Sequence, residues 1–254
     1  MLFFADADAR YEPSALRAAV AHLERDRHVA LLGLLPYFKM RGFFENIVMP
    51  GLPMLCLTFF PVSLSNRSRV VAFALAFGAG ILVRREAYER AGRHEAIKHA
   101  VIDDVGLARL FRRNGEITEA VRADDFVSVR MYHGGGEILD GFTKNAFAAL
   151  SRSYLLAVPF LLLIIGCSLF PYFAAVSGDL YAVATIVLIT IVRLIVFANL
   201  GYRLDYAVFG QPLMAVFGVV IFVRSIWKTG IRGEVEWRGV TYNVRDTSCF
   251  GEDI

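Results

Sequence analysis

From Ser14 to Asp26 the apolar positions Leu16, Ala19, Val20 and Leu23 fall at helical spacing, which predicts an amphipathic helix. The unbroken run Val29 to Leu35 predicts a buried strand, and Met1 to Ala5 an apolar strand that ends in Asp6-Ala7-Asp8. Gly78 and Gly80 mark a glycine turn before a short strand and a helix that starts near Arg85. Ile102 precedes Asp103 and Asp104, and Val105, Leu107, Leu110 and Phe111 carry a helical pattern to Asn114-Gly115. These elements predict a water-facing domain over residues 1–150.

The second half reads differently. Tyr154 to Val176, Leu180 to Leu200 and Ala207 to Trp227 each approach the roughly 20 apolar residues a membrane crossing needs. They predict a membrane domain over 151–228 and a tail over 229–254. Arg193, inside the second stretch, is expected to snorkel to the interface, although an intramembrane cation is also a functional candidate. Upstream, Phe43 to Leu64 is apolar but broken by Pro50, Pro53 and Pro61 and carries Glu45 and Asn46. Three prolines argue against a continuous spanning helix, so 43–64 reads as an interfacial segment or, alternatively, a buried helix pair.

Cations flank the first stretch at Lys144 and Arg152, are absent from Ser177-Gly178-Asp179, and return at Arg203, which predicts a cytoplasmic N-terminal domain. Three full crossings would place Lys228, Arg232, Arg238 and Arg245 outside, against the same rule. Either one segment fails to cross or the tail departs from the rule. Within that tail, Val235 to Arg245 alternates around a glycine like a small hairpin.

Composition agrees with this division: of 254 residues, 56% are hydrophobic and 20% charged, and a mean hydropathy of +0.51 is too high for an ordinary soluble domain. A net charge of +3 gives no case for nucleic acid. Arg67, Arg69, Lys144 and Arg152 suit anionic lipid head groups instead. Cys56, Cys167 and Cys249 show no metal or redox spacing and are expected as unpaired thiols in a reducing compartment. Met1 opens on a strand-like run without a basic leader, so no secretory signal is expected.

Two acidic clusters are the candidate chemistry. An apolar strand ending in Asp-x-Asp exposes carboxylates at a sheet edge, where Asp6 and Asp8 could hold Mg²⁺ or Mn²⁺ on a diphosphate. The alternative is that they end the strand and cap the helix near Pro13. Asp103 and Asp104 fall at a helix N-terminus, whose dipole favours the ionised form required of a general base; simple N-capping is the alternative. Gly78 and Gly80 would let backbone approach a ligand closely.

Taken in order, Phe4 to Arg10, Gly78 to Tyr88 with Gly92, Asp103 to Arg109 and then membrane helices, the chain resembles a membrane-bound family 2 glycosyltransferase. It is most similar to the branch with ceramide glucosyltransferase-like, carotenoid-glycosylating and hopanoid-associated enzymes. The resemblance implies an α/β domain of the GT-A type followed by C-terminal transmembrane helices. It also implies a divalent metal on Asp6 and Asp8, a nucleotide-sugar donor, a lipid acceptor, and inverting transfer with Asp104 as base beside Asp103.

The Gln/Arg-x-x-Arg-Trp motif of processive members has no counterpart in Val127 to Gly136, where Arg130 and Tyr132 are the substrate-binding candidates and Arg130 reads equally as a surface cation. Gly141-Phe142-Thr143-Lys144-Asn145 is similar to the Gly-Phe-Ser-Lys-Asn stretch of nonprocessive relatives, which adds Lys144 and argues against a polysaccharide synthase. The tail around Trp237 resembles the family's Trp-Arg/Lys-Gly-x-x-Tyr, which implies that 229–254 is a cytoplasmic tail and that a segment upstream does not span. Only Met1 to Ala5 precede Asp6, where the family carries about two thirds of a nucleotide-binding domain. The chain is therefore expected to be the C-terminal portion of an enzyme and to bind sugar nucleotide poorly alone. A non-catalytic membrane scaffold, with the acids as caps, is the competing reading.

Overall fold

The computed structural model describes residues 1–59, 62–237 and 240–251. In chain order its first elements are β1 (Leu2–Phe4), β2 (Ala9–Tyr11), α1 (Ala15–Arg25), β3 (Val29–Leu35), β4 (Tyr37–Phe38), α2 (Phe43–Val48), α3 (Gly51–Phe59) and α4 (Val62–Arg67). Then come β5 (Ile81–Val83), α5 (Arg85–Arg90), α6 (Asp103–Arg113), β6 (Ile117–Arg122) and β7 (Val127–Val129). The remainder holds α7 (Gly135–Ala149), α8 (Tyr154–Ser168), α9 (Phe170–Val176), α10 (Leu180–Asn199), α11 (Leu204–Phe209), α12 (Gln211–Ser225), β8 (Glu234–Trp237) and β9 (Val240–Asn243). Two compact units form: unit 1 comprises Met1–Lys39, Leu55–Met131 and Arg245–Ile254, and unit 2 comprises Met40–Met54 and Tyr132–Val244.

Unit 1 is an α/β unit built on a mixed sheet of order β1-β5-β3-β6, with a smaller sheet of order β2-β7-β4. Only β3 and β6 run parallel in the larger sheet. The apolar run of β3 is buried on both faces, as an interior strand requires. Leu31 joins Val83, Ala87, Leu107 and Phe111 on one face. Leu32 joins Ala19, Leu23 and Leu82 on the other, beneath α1.

Arg112 ties α6 to α4, to the segment that follows it and to β6. It is 7% exposed and donates to Thr118 Oγ1, Val70 O and Ser65 O, each at 2.8 Å. Arg112→Met keeps most of the volume but leaves the acceptors on buried Ser65 and Thr118 without their donor. It is expected to lower stability by about 2–4 kcal/mol, read as a fall in Tm at unchanged helix content.

In unit 2, α7 and α12 are joined where the Phe147 N–H donates to Ser225 Oγ at 2.9 Å and Arg224 pairs with Asp140 at 2.6 Å. Among the described residues four segments are long and apolar enough to cross a membrane: Phe43–Arg67, Tyr154–Val176, Leu180–Asn199 and Gln211–Ile231. The first was expected to be too interrupted by proline. It is helical on both sides of Met49-Pro50, while Pro61 lies outside the described residues. Strands β1 and β5, which precede and follow this segment, pair in one sheet, so a single crossing there would separate them. The tail also returns to unit 1, where Ser248 bridges Ala100.

Arg193 does not snorkel. Its side chain is fully buried, with Nε donating to Ala207 O at 2.9 Å, Nη2 to Tyr206 O at 3.1 Å and the guanidinium 5.0 Å from the Phe197 ring. The helix breaks at Gly210, and carbonyls at a helix end need donors where water does not reach, so the cation turns inward. Strands β8 and β9 form the expected antiparallel hairpin; its turn, Arg238-Gly239, lies outside the described residues.

Candidate active site

Strand β1 pairs with β5 from Leu2↔Val83 to Phe4↔Ile81. Past Phe4 the chain turns, with the Asp6 N–H donating to Gly78 O at 3.1 Å and the Ala9 N–H to Asp6 O at 3.2 Å. The carboxylates of Asp6 and Asp8 are exposed at this edge. They do not cap α1, because β2 intervenes and the N-cap position is Ser14.

Gly78 grips both acidic clusters. Its carbonyl accepts from Asp6, and its own N–H donates to Asp104 Oδ2 at 3.0 Å. Asp104 Oδ1 accepts from the Val105 N–H at 2.7 Å, while Ile102 occupies the N-cap position of α6. Asp104 thus reaches out of its helix to the glycine turn and does more than cap. Gly78 has no left-handed φ; its need for glycine is spatial, since a Cβ there would stand 2.8 Å from Asp6 Oδ2. Gly78→Ala is expected to push the Asp6 carboxylate aside and lower kcat/KM by about 10- to 100-fold, measured by steady-state kinetics against a circular dichroism spectrum that stays unchanged.

Burial pushes the Asp104 carboxyl up to about 6, reinforced by the charges of Asp103 and Asp6 and opposed by the bonds from Val105 and Gly78. The helix N-terminus was expected to favour the ionised form; desolvation outweighs it here. Asp103 is exposed.

Two residues that sequence reasoning missed line this edge. Tyr11 donates its hydroxyl to Ala79 O, and burial, then Asp6 and Asp8, raise its phenol above the usual range. His94 stacks edge-on to Phe4 at 4.7 Å and shares a 2.8 Å hydrogen bond with the Tyr88 hydroxyl. Burial lowers its imidazole, against the charge of Asp103. Neither residue belongs to a spacing pattern, so only the fold could reveal them.

Gly80 stands in packing contact, since a Cβ there would meet Leu34 Cδ1 at 3.1 Å. The β2–β7 register pairs Ala9 with Val129, so Arg130 is the first residue past the end of β7. Tyr132 and Lys144 belong to unit 2. There the Tyr132 ring lies over Gly141 and edge-on to Phe142 at 5.4 Å, and Lys144 is half-buried on α7.

Asp6 and Asp8 supply hard oxygen donors open to solvent, which fits Mg²⁺ or Mn²⁺. Among the described residues no three His, Cys, Asp or Glu side chains gather into a metal-holding group.

Residues 1–249 match the family described as Glycosyl transferase family 21. Among curated proteins the chain is similar to 4,4'-diaponeurosporenoate glycosyltransferase of Staphylococcus aureus strains MRSA252 and USA300. Each is 23% identical over 256 residues, an alignment covering 95% of this chain and 66% of the relative. The chain thus spans just under two thirds of the length of these relatives.

Proposed function

Because the chain belongs to glycosyl transferase family 21, we propose that it transfers a sugar from a nucleotide-sugar donor to a carotenoid-like lipid at a membrane surface, with inversion at the anomeric carbon. The activity for which the Staphylococcus aureus relatives are named supports a lipid acceptor of this kind. The observation that carries the reading is Gly78, which bonds at once to the Asp-x-Asp turn and to a carboxyl whose pKa, about 6, suits a general base.

Asp6 and Asp8 would hold the divalent metal, which when bound neutralises charge on the leaving diphosphate. Asp104 takes the proton from the acceptor hydroxyl as that oxygen attacks the anomeric carbon, and the Gly78 and Val105 N–H groups keep its carboxylate fixed. Arg130, directly after the Val129 that pairs with Ala9, adds positive charge for the donor. Phe43–Arg67 lies in the interface as an apolar platform, and unit 1 faces the cytoplasm.

Product stereochemistry tests the mechanism. Proton NMR of the glycolipid made by the full natural chain is expected to show the anomeric configuration opposite to the donor's. Retention would exclude single displacement with Asp104 as base.

A further inference from the structure

Residues 247–251 run back across the base of α6. The Ser248 N–H donates to His99 O at 2.9 Å, the Val101 N–H to Ser248 O at 2.9 Å and the Ile102 N–H to Cys249 O at 3.1 Å. Gly251 closes the segment with a bond from its N–H to Ser248 Oγ at 2.7 Å, in a left-handed turn at φ +80° over Ile97. Phe250 is 3% exposed and lies under the Arg109 guanidinium, 3.6 Å from its ring centroid. On α6 itself, Gly106 leaves room for the strap, since a Cβ there would stand 2.8 Å from the Phe250 carbonyl oxygen.

The two residues whose N–H groups the strap holds, Val101 and Ile102, lead directly into Asp103 and Asp104. Ile102 is held from both sides, because its carbonyl also accepts the first bond of α6, from Gly106 at 3.0 Å. We propose that Ser248–Gly251 is a positioning strap that fixes the start of α6, and so the Asp104 carboxylate, against the Gly78 turn. The inference rests on Asp104 acting as the base. Phe250 and Gly106 are positioning residues; neither touches the acidic edge among the contacts described.

Gly106→Ala discriminates this role from ordinary folding. In a helix interior alanine is the better helix former, so a purely local account expects an equal or higher Tm and unchanged turnover. The strap account expects the methyl to displace the Phe250 backbone and move Asp104, with kcat falling about 10- to 100-fold. The KM for the donor should stay within about twofold, since Asp6 and Asp8 are untouched, and hydrogen exchange at Val101 and Ile102 should quicken. Phe250→Ala should act the same way, while Phe250→Tyr, which keeps the ring, should restore kcat.

The experiment measures kcat, KM and amide exchange for these three variants in the full natural chain, with Asp104→Asn alongside. Faster exchange with lowered kcat, rescued in Phe250→Tyr, supports the strap. Unchanged kcat in folded Gly106→Ala and Phe250→Ala, beside an inactive Asp104→Asn, overturns the strap alone. Unchanged exchange at Val101 and Ile102 also overturns it. Full turnover in Asp104→Asn overturns the base assignment instead.

Discussion

Asp104→Asn is expected to lower turnover by about 10²–10⁴-fold while leaving donor binding and the fold intact. The amide keeps the shape and accepts a hydrogen bond from Gly78 or Val105, but it cannot take a proton from a hydroxyl. In the parent, kcat/KM should rise about tenfold per pH unit below about 6 and level off above it. That limb should vanish from the residual activity of the variant. A variant with parental kcat/KM at every pH would remove Asp104 from the chemistry.

The same substitution should have an opposite effect on stability. The folded carboxyl, at about 6, lies above its ordinary 3.8, so the native state binds the proton more tightly than the unfolded chain. The stabilisation this gives is fully present below about 3.8 and is lost as pH rises through about 6. At pH 8 the ionised parent therefore carries a desolvation cost that asparagine lacks. Asp104→Asn should melt higher there, by the equivalent of at most about 3 kcal/mol, with the gap closing towards pH 4. A loss of Tm at pH 8 would contradict the burial argument. Activity and stability are opposed at this residue, as they commonly are where a carboxylate is held ready in a partly dry site.

The second large effect is at the other acidic cluster. Asp6→Asn and Asp8→Asn are each expected to cut kcat/KM by roughly 10³-fold, on the scale of several kcal/mol of leaving-group stabilisation. Chelation by EDTA should abolish transfer in the parent, and added Mg²⁺ or Mn²⁺ should restore it. The two clusters should separate in binding experiments. Donor affinity should weaken when Asp6 or Asp8 is changed and persist in Asp104→Asn. Full activity in excess chelator would sink the assignment of Asp6 and Asp8 as metal ligands.

Much of the scaffold of this site was legible in residues. Strand β3 was expected from Val29 to Leu35 and occupies that span, because a run buried on both faces carries an unbroken apolar signal. Helices α1 and α6 were equally plain, since each has an apolar stripe at helical spacing between recognisable ends. The acidic clusters could be placed at a strand end and a helix start. That Gly78 would join them could not, because their meeting depends on β1 pairing with β5 across some eighty positions.

The misreadings have physical causes. Arg193 stands close enough to the end of an apolar stretch to suggest snorkelling. The carbonyls of α11 that hold it inside belong to a helix break the pattern did not reveal. For Asp104 the helix N-terminus suggested an ionised carboxylate, but the degree of burial is a property of the surroundings and it sets the direction of the shift. Strand β6, Ile-Thr-Glu-Ala-Val-Arg, mixes charge with a short apolar alternation and raised no expectation. The strap at Ser248–Gly251 is small and polar apart from Phe250 and has no period to read.

The most direct test of the account is transfer of labelled sugar into the organic-soluble lipids of membranes carrying the full natural chain, across a panel of nucleotide-sugar donors, with and without EDTA. The account predicts label in an apolar, carotenoid-like lipid from at least one donor, dependent on divalent metal and lost in Asp104→Asn. Label that enters lipid equally with the parent and with Asp104→Asn, or no label in lipid from any donor, would contradict it.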